Sequence, residues 1–122
     1  MLAFLFDENM PRKLFDAALR HNLSDSTYPL DVVAIGDLDA PPHGTLDPAI
    51  LKWIEAEGRL LVTRDVRSMA NHLADHLQNG GSVPGILEIR RSVTVPDIVE
   101  ALVLIAHAGL TGDYENQIHF IP

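Results

Sequence analysis

The sequence predicts an α/β fold built on a central, mostly parallel five-stranded sheet. Two observations carry that prediction. Five short apolar runs alternate with four stretches of helical periodicity, and this alternation points to parallel βαβ units with right-handed crossovers. The first and third runs are the most uniformly apolar, which places them side by side at the sheet centre, covered on both faces.

Each element follows from its residues. Leu2–Phe6 is apolar throughout and stops at charged residues, the pattern of a buried strand. Pro11–His21 carries Leu14, Phe15, Ala18 and Leu19 at helical spacing. Val32–Ile35 is short and β-branched, a second strand. Residues 36–44 form a breaker-rich loop in which Asp37 and Asp39 read as turn formers. Asp47 reads as an N-cap and Pro48 as the first helical residue of a helix that carries Ile50, Leu51 and Ile54 and stops near Gly58. Leu60–Val62 is a third strand. Ser68–Leu77 is helical, with Met69, Leu73 and Leu77 on one stripe, and Gly80-Gly81 reads as its stop and a flexible connection. Gly85–Ile89 is a fourth strand, Val95–His107 a long amphipathic helix, and Gln117–Ile121 an edge strand, which the following Pro122 suits.

Composition narrows the function. A length of 122 residues makes one domain with one real core. Seventeen acids against nine Lys and Arg give a formal charge of −8, which excludes a generally basic nucleic-acid coat and a polybasic membrane binder. With no cysteine, disulfides, thiol nucleophiles and zinc–thiolate sites are excluded, which fits a reducing, cytoplasmic setting. The apolar start lacks a basic n-region and runs straight into Asp7, so no targeting segment is expected. Val99–Leu110 contains Glu100 and His107 and falls short of the ~20 residues of a membrane helix.

Ligands of an open parallel sheet bind beyond the carboxyl ends of its strands. Asp7, Glu8 and Asn9 follow the first strand there, Asp65 follows the third, and Asp47 begins the helix after the second. Adjacent strands lie ~4.8 Å apart, so carboxylates leaving two strand ends can share one cation. A hard, oxygen-liganded Mg²⁺ or Mn²⁺ is the natural neutraliser. The same residues have plainer uses: Asp65 is placed to cap the next helix, and Asn9 and Met10 to cap the first. Six of the nine bases, Arg12, Lys13, Arg64, Arg67, Arg90 and Arg91, fall on the same rim. Carboxylates ringed by arginines suit a phosphodiester backbone. His43 stands in the loop near this rim. His72 and His76 have i, i+4 spacing but enclose Leu-Ala-Asp rather than the glutamate of a zinc-protease motif, and read as solvated. Nucleophile-elbow, P-loop and dinucleotide fingerprints are absent.

The run Phe4-Leu-Phe-Asp7-Glu8-Asn9-Met-Pro11 resembles the opening of a family of small bacterial PIN-like proteins. Asp47-Pro-Ala-Ile-Leu, Ala56-Glu-Gly58-Arg59-Leu-Leu-Val-Thr63-Arg64-Asp65 and Pro84-Gly85-Ile86-Leu87 match in order and spacing, over nearly the whole chain. The resemblance implies a PIN-like three-layer α/β/α sandwich and a metal-dependent ribonuclease, the toxin half of a toxin–antitoxin pair. It carries over Asp7, Glu8 and Asp65 as catalytic metal ligands and Asp47 as a lesser one. Asn9, Arg64, Arg67, Arg90 and Arg91 are expected to hold the substrate. RNA, an antitoxin protein and a second copy of the chain are the expected partners. The family's run continues T-R-D-x-D-F, whereas here Val66-Arg67-Ser68 follows Asp65 and puts a base where the second acid belongs. A non-catalytic, partner-binding module of the same fold is therefore the alternative. A phospho-acceptor receiver domain fits less well, because no lysine follows the fifth strand and no fifth helix follows it.

Overall fold

In a computed structural model that describes residues 1–121, four helices cover a five-stranded sheet. The elements run β1 (Ala3–Phe6), α1 (Arg12–Ser24), β2 (Val32–Ala34), α2 (Asp47–Glu57), β3 (Arg59–Thr63), α3 (Met69–Gln78), β4 (Ile86–Ile89), α4 (Val95–Ala108) and β5 (Ile118–Ile121). The strand order is β2-β1-β3-β4-β5, and every pairing is parallel. The expected central pair is found, with Phe4 opposite Leu60 and Phe6 opposite Val62. β5 is an edge strand as expected, while Pro122 lies outside the described residues.

Side chains alternate across the sheet and split the core in two. Phe4, Phe6, Leu60, Val62, Leu87 and Ile89 point to the layer of α1 and α4, where they meet Leu14, Ala18, Ile98, Leu102 and Ala106. Leu5, Leu61 and Ile86 point to the layer of α2 and α3, against Ile50, Leu51, Ile54, Met69 and Leu73. The result is a three-layer α/β/α sandwich. Among the described residues no helix is long and apolar enough to cross a membrane.

One expectation fails in the last crossover. The chain steps the same way along the sheet from β1's neighbour β3 to β4 and on to β5, yet α3 lies on one face and α4 on the other. The β4–α4–β5 unit therefore has the opposite hand to the β3–α3–β4 unit, against the general preference for one hand. The reason is coverage. α4 packs Ile98, Leu102 and Ala106 beside α1 on the apolar Phe4–Leu60–Leu87 face, with Leu2 N–H donating to Ala106 O at 3.0 Å. Residues 109–117 then return the chain to β5.

Local details correct four further readings. Helix α2 starts one residue early, with Leu46 at the cap, so Asp47 is the first helical residue and not the cap. α1 has Pro11 at its cap with no side-chain bond, because Asn9 is drawn toward β3 instead. His76 is not solvated: its side chain is 11% exposed, and Nε2 lies 2.8 Å from Glu55 Oε1. The Ser82 N–H bonds the same oxygen, and these two contacts, Ser82 first, hold the Glu55 carboxyl below its usual pKa. Gly81 packs on that histidine, since a Cβ there would stand 2.5 Å from His76 Nε2, so it is a packing glycine and not a loose connection.

Leu61 is fully buried at the middle of the central strand. Leu61→Ala is expected to cost about 2–5 kcal/mol of stability, read as a lower urea midpoint at unchanged slope.

Candidate functional site

The central ladder builds the site. Phe6 pairs with Val62, and Asp7 N–H continues the ladder to Val62 O at 2.9 Å. Asp7 and Thr63 thus leave adjacent strands at the same level. Both fall on the α2/α3 face, one step beyond Leu5–Leu61. On the other side of β3, Thr63 pairs with Glu88. Asp7, Thr63 and Glu88 therefore stand in a row across β1, β3 and β4, and a hydroxyl separates the two acids by two strand spacings, ~9.6 Å.

Thr63 is completely buried, and its hydroxyl uses its full capacity of one donor and two acceptor sites. It donates to Asp7 Oδ2 at 2.8 Å and accepts from Asn9 Nδ2 and Asp65 N–H, each at 3.2 Å. Arg64 N–H closes the circuit by donating to Asn9 Oδ1 at 3.3 Å. The other oxygen of Asp7 accepts from Glu8 N–H at 2.8 Å. Burial raises the Asp7 pKa, and the charges of Asp47 and Glu8 add to the rise; the Thr63 hydroxyl and the Glu8 N–H oppose it.

The four expected carboxylates do not gather into one shell. Glu8 turns to the β2–α2 loop, where Oε1 accepts from Gly44 N–H at 3.1 Å and Oε2 lies 3.4 Å from His43 Nδ1. Asp65 Oδ1 accepts from Arg67 N–H at 3.0 Å, a turn that precedes α3 without capping it. Asp47 Oδ2 accepts from Ser68 Oγ at 3.2 Å and lies 4.0 Å from His72 Nε2. Each is held by loop donors, Asp65 by its own loop and Glu8 and Asp47 by a neighbouring one, and Asp7 remains at the centre. Among the described residues, no group of three or more His, Asp or Glu side chains is placed to hold a metal ion.

Two cavities open at the ends of the strands, one reached by Asn9 and the other by Asp7. Over the ends of β3 and β4 lies a cleft of about 830 Å³, lined by Asn9, Arg64, Asp65, Arg67, Glu88 and Arg91. It brings together most of the expected substrate residues. Arg90 is not among them, because its guanidinium lies over the Phe120 ring, 4.9 Å from the centroid. Arg64 Nε and Glu88 Oε2 are buried in this cleft without a hydrogen-bond partner among the described residues. Over the ends of β1 and β2 lies a second cavity of about 310 Å³, which Asp7 and Glu8 face together with Phe15 and His43. Asp37 turns the chain as expected, its Oδ2 accepting from Ala34 N–H at 2.8 Å.

Sequence reasoning passed over Thr63 and Glu88. Glu88 carries a signal, a single acid inside the apolar run Ile86-Leu-Glu-Ile89. Thr63 carries none, since a β-branched residue ending a strand is ordinary. Comparison with protein-family models, with curated proteins and with solved structures gives no match.

Two outcomes follow. Thr63→Val leaves the Asp7 and Asn9 partners unmade and is expected to cost about 1–3 kcal/mol, measured by chemical denaturation. Asp7→Asn removes a half-buried charge but keeps only one of the two acceptors that Thr63 and Glu8 use. A carboxyl whose pKa is raised by folding stabilises the fold when protonated, and that stability is lost as pH rises through the folded pKa. The Asn variant lacks this dependence, so the melting temperature of the parent is expected to rise relative to that of the variant as pH falls through the carboxylate range.

Proposed function

We propose that this protein is a ribonuclease that hydrolyses phosphodiester bonds at Asp7 with the aid of a divalent cation. The observation that carries the reading is the hydrogen-bonded link from the half-buried Asp7 carboxylate through Thr63 to Asn9, which lines a cleft that presents Arg64, Arg67 and Arg91. A perturbed carboxyl beside a cleft is the physical mark of a working group. Arginines in a cleft suit the oxygens of a phosphodiester.

The donors present fit a cation in a sparse way. All are hard oxygens, which suits Mg²⁺ or Mn²⁺. Asp47 is close enough for its charge to raise the Asp7 pKa, and Mg²⁺ is commonly bound by one or two carboxylates plus substrate phosphate. Asp7 and Asp47 would hold the ion, which when bound supplies charge neutralisation and an acidified water. The remaining work belongs to the chain. Thr63 fixes the Asp7 carboxylate, Asn9 ties it to the start of the Arg64 loop, and the Asp65–Arg67 turn shapes the loop that carries both arginines. A toxin role with an antitoxin partner is supported only by the D-E-N-x-P and V-T-R-D runs.

A second reading, a non-catalytic module that binds a protein partner, is favoured by two observations: Arg67 stands where an acid is expected, and no group of three or more His, Asp or Glu side chains forms among the described residues. The two readings separate on one assay. With millimolar Mg²⁺ or Mn²⁺ the parent is expected to cut single-stranded RNA, and Asp7→Asn to lose about a hundredfold or more of that rate. Absence of both cleavage and saturable metal binding in the parent establishes the partner-binding reading instead. For RNA affinity, Arg67→Ala and Arg91→Ala are each expected to lower the salt slope by about 1, the mark of a lost phosphate contact.

A further inference from the structure

We propose that the cavity over the ends of β1 and β2 is a pocket for a single nucleobase, and that Glu8 selects guanine in it. The inference rests on the phosphodiester reading and adds the identity of the base beside the reacting bond.

Position comes first. Asp7 and Glu8 face this cavity, while the next residue, Asn9, faces the arginine cleft. A strand of RNA whose phosphate lies in the arginine cleft, which begins at Asn9, carries a neighbouring base back past Asp7 to β1 and β2. The volume of about 310 Å³ is at the small end of ligand sites, enough for one heterocycle and not for two nucleotides.

The walls suit a flat ring. Phe15 is held in place by the buried Phe6 behind it, the two rings meeting edge to face with centroids 6.2 Å apart at 86°. The Arg12 guanidinium lies 4.7 Å from the centre of the Phe15 ring and lines the same cavity. Unpaired RNA bases stack on aromatic and guanidinium planes, at little cost in sequence freedom. Selection must then come from the polar groups.

Those groups accept. Glu8 holds one oxygen to Gly44 N–H and the other near His43, which fixes the carboxylate while leaving lone pairs on both oxygens. Asp37 adds a second carboxylate to the lining. The Watson–Crick edge of guanine presents two adjacent donors, N1–H and the 2-amino group, which one carboxylate accepts together. Adenine and cytosine set an acceptor beside their amino group, and uracil flanks one N–H with two carbonyls. A fixed carboxylate therefore repels the other three bases where it attracts guanine. The fixing depends on Gly36, whose φ is +98° and on which the His43 ring lies so closely that any Cβ would collide with it.

The test is equilibrium dialysis of the intact protein with GMP, IMP, AMP, CMP and UMP, beside cleavage of RNAs of defined sequence. GMP is expected to bind about tenfold or more tighter than IMP, which lacks only the 2-amino group, and tighter again than AMP, CMP or UMP. Glu8→Gln, checked for folding by its melting curve, is expected to bring GMP and IMP within about threefold of each other. Equal binding of GMP and IMP by the parent overturns the guanine assignment, and an unchanged preference in a folded Glu8→Gln overturns the role of Glu8. RNA cleavage without nucleotide preference removes the pocket and leaves the nuclease. GMP preference in a protein that cuts no RNA removes the nuclease and leaves the pocket.

Discussion

Where β1 and β3 run side by side, the backbone decides which side chains share the mouth of the sheet. The parallel register of Phe6 with Val62 sets Asp7 level with Thr63, and the 2.8 Å bond between them holds a carboxylate that burial alone would push toward protonation. Everything else at the site is arranged from that bond. Asn9 reaches back to the same hydroxyl, Asp65 N–H donates to it, and the loop carrying Arg64 and Arg67 takes its direction from there. A shift of one residue in the register would turn Asp7 to the opposite face.

The price of placing a carboxylate here is electrostatic. Asp47 and Glu8 both oppose its ionisation, and desolvation opposes it more. The fold limits the damage by distance and by donors. Glu88 is held one strand further away, with a threonine between, Asp65 binds a donor in its own loop, and Glu8 and Asp47 each bind a donor in a neighbouring one. The acceptor-lined cavity at Asp7 and Glu8 and the arginine cleft at Asn9 give the mouth of the sheet two characters within three consecutive residues. The net charge of −8 is thus an average over unlike regions and does not describe the site.

The helical layers supply the rigidity that this arrangement needs. β1 and β3 are apolar on both faces, so each must be covered twice. α2 and α3 cover one face, locked at their far ends by Glu55, His76 and Ser82. α1 and α4 cover the other, and α4 takes the less common hand to do so. Burial of that face outweighed the local preference for a right-handed crossover.

Much of this was legible in the chain. The number, order and type of the elements follow from apolar runs such as Leu2–Phe6 and helical stripes such as Met69, Leu73 and Leu77, because period and burial are written residue by residue. So is the gathering of Asp7, Asn9, Arg64 and Asp65 at one rim, because residues that follow parallel strands must emerge on the same side. What each side chain does there was not legible. Asp47 proved not to cap, Glu8 turned away from Asp7, Arg90 went to Phe120, and Thr63 became the centre. These outcomes depend on which residues the register places level and on which loop donors lie within about 3 Å, and those distances span up to 56 positions of sequence. The sequence by itself determined the layers and the rim; only the tertiary structure decided the partners, since a hydrogen bond is set by distance in space and a periodicity by distance along the chain.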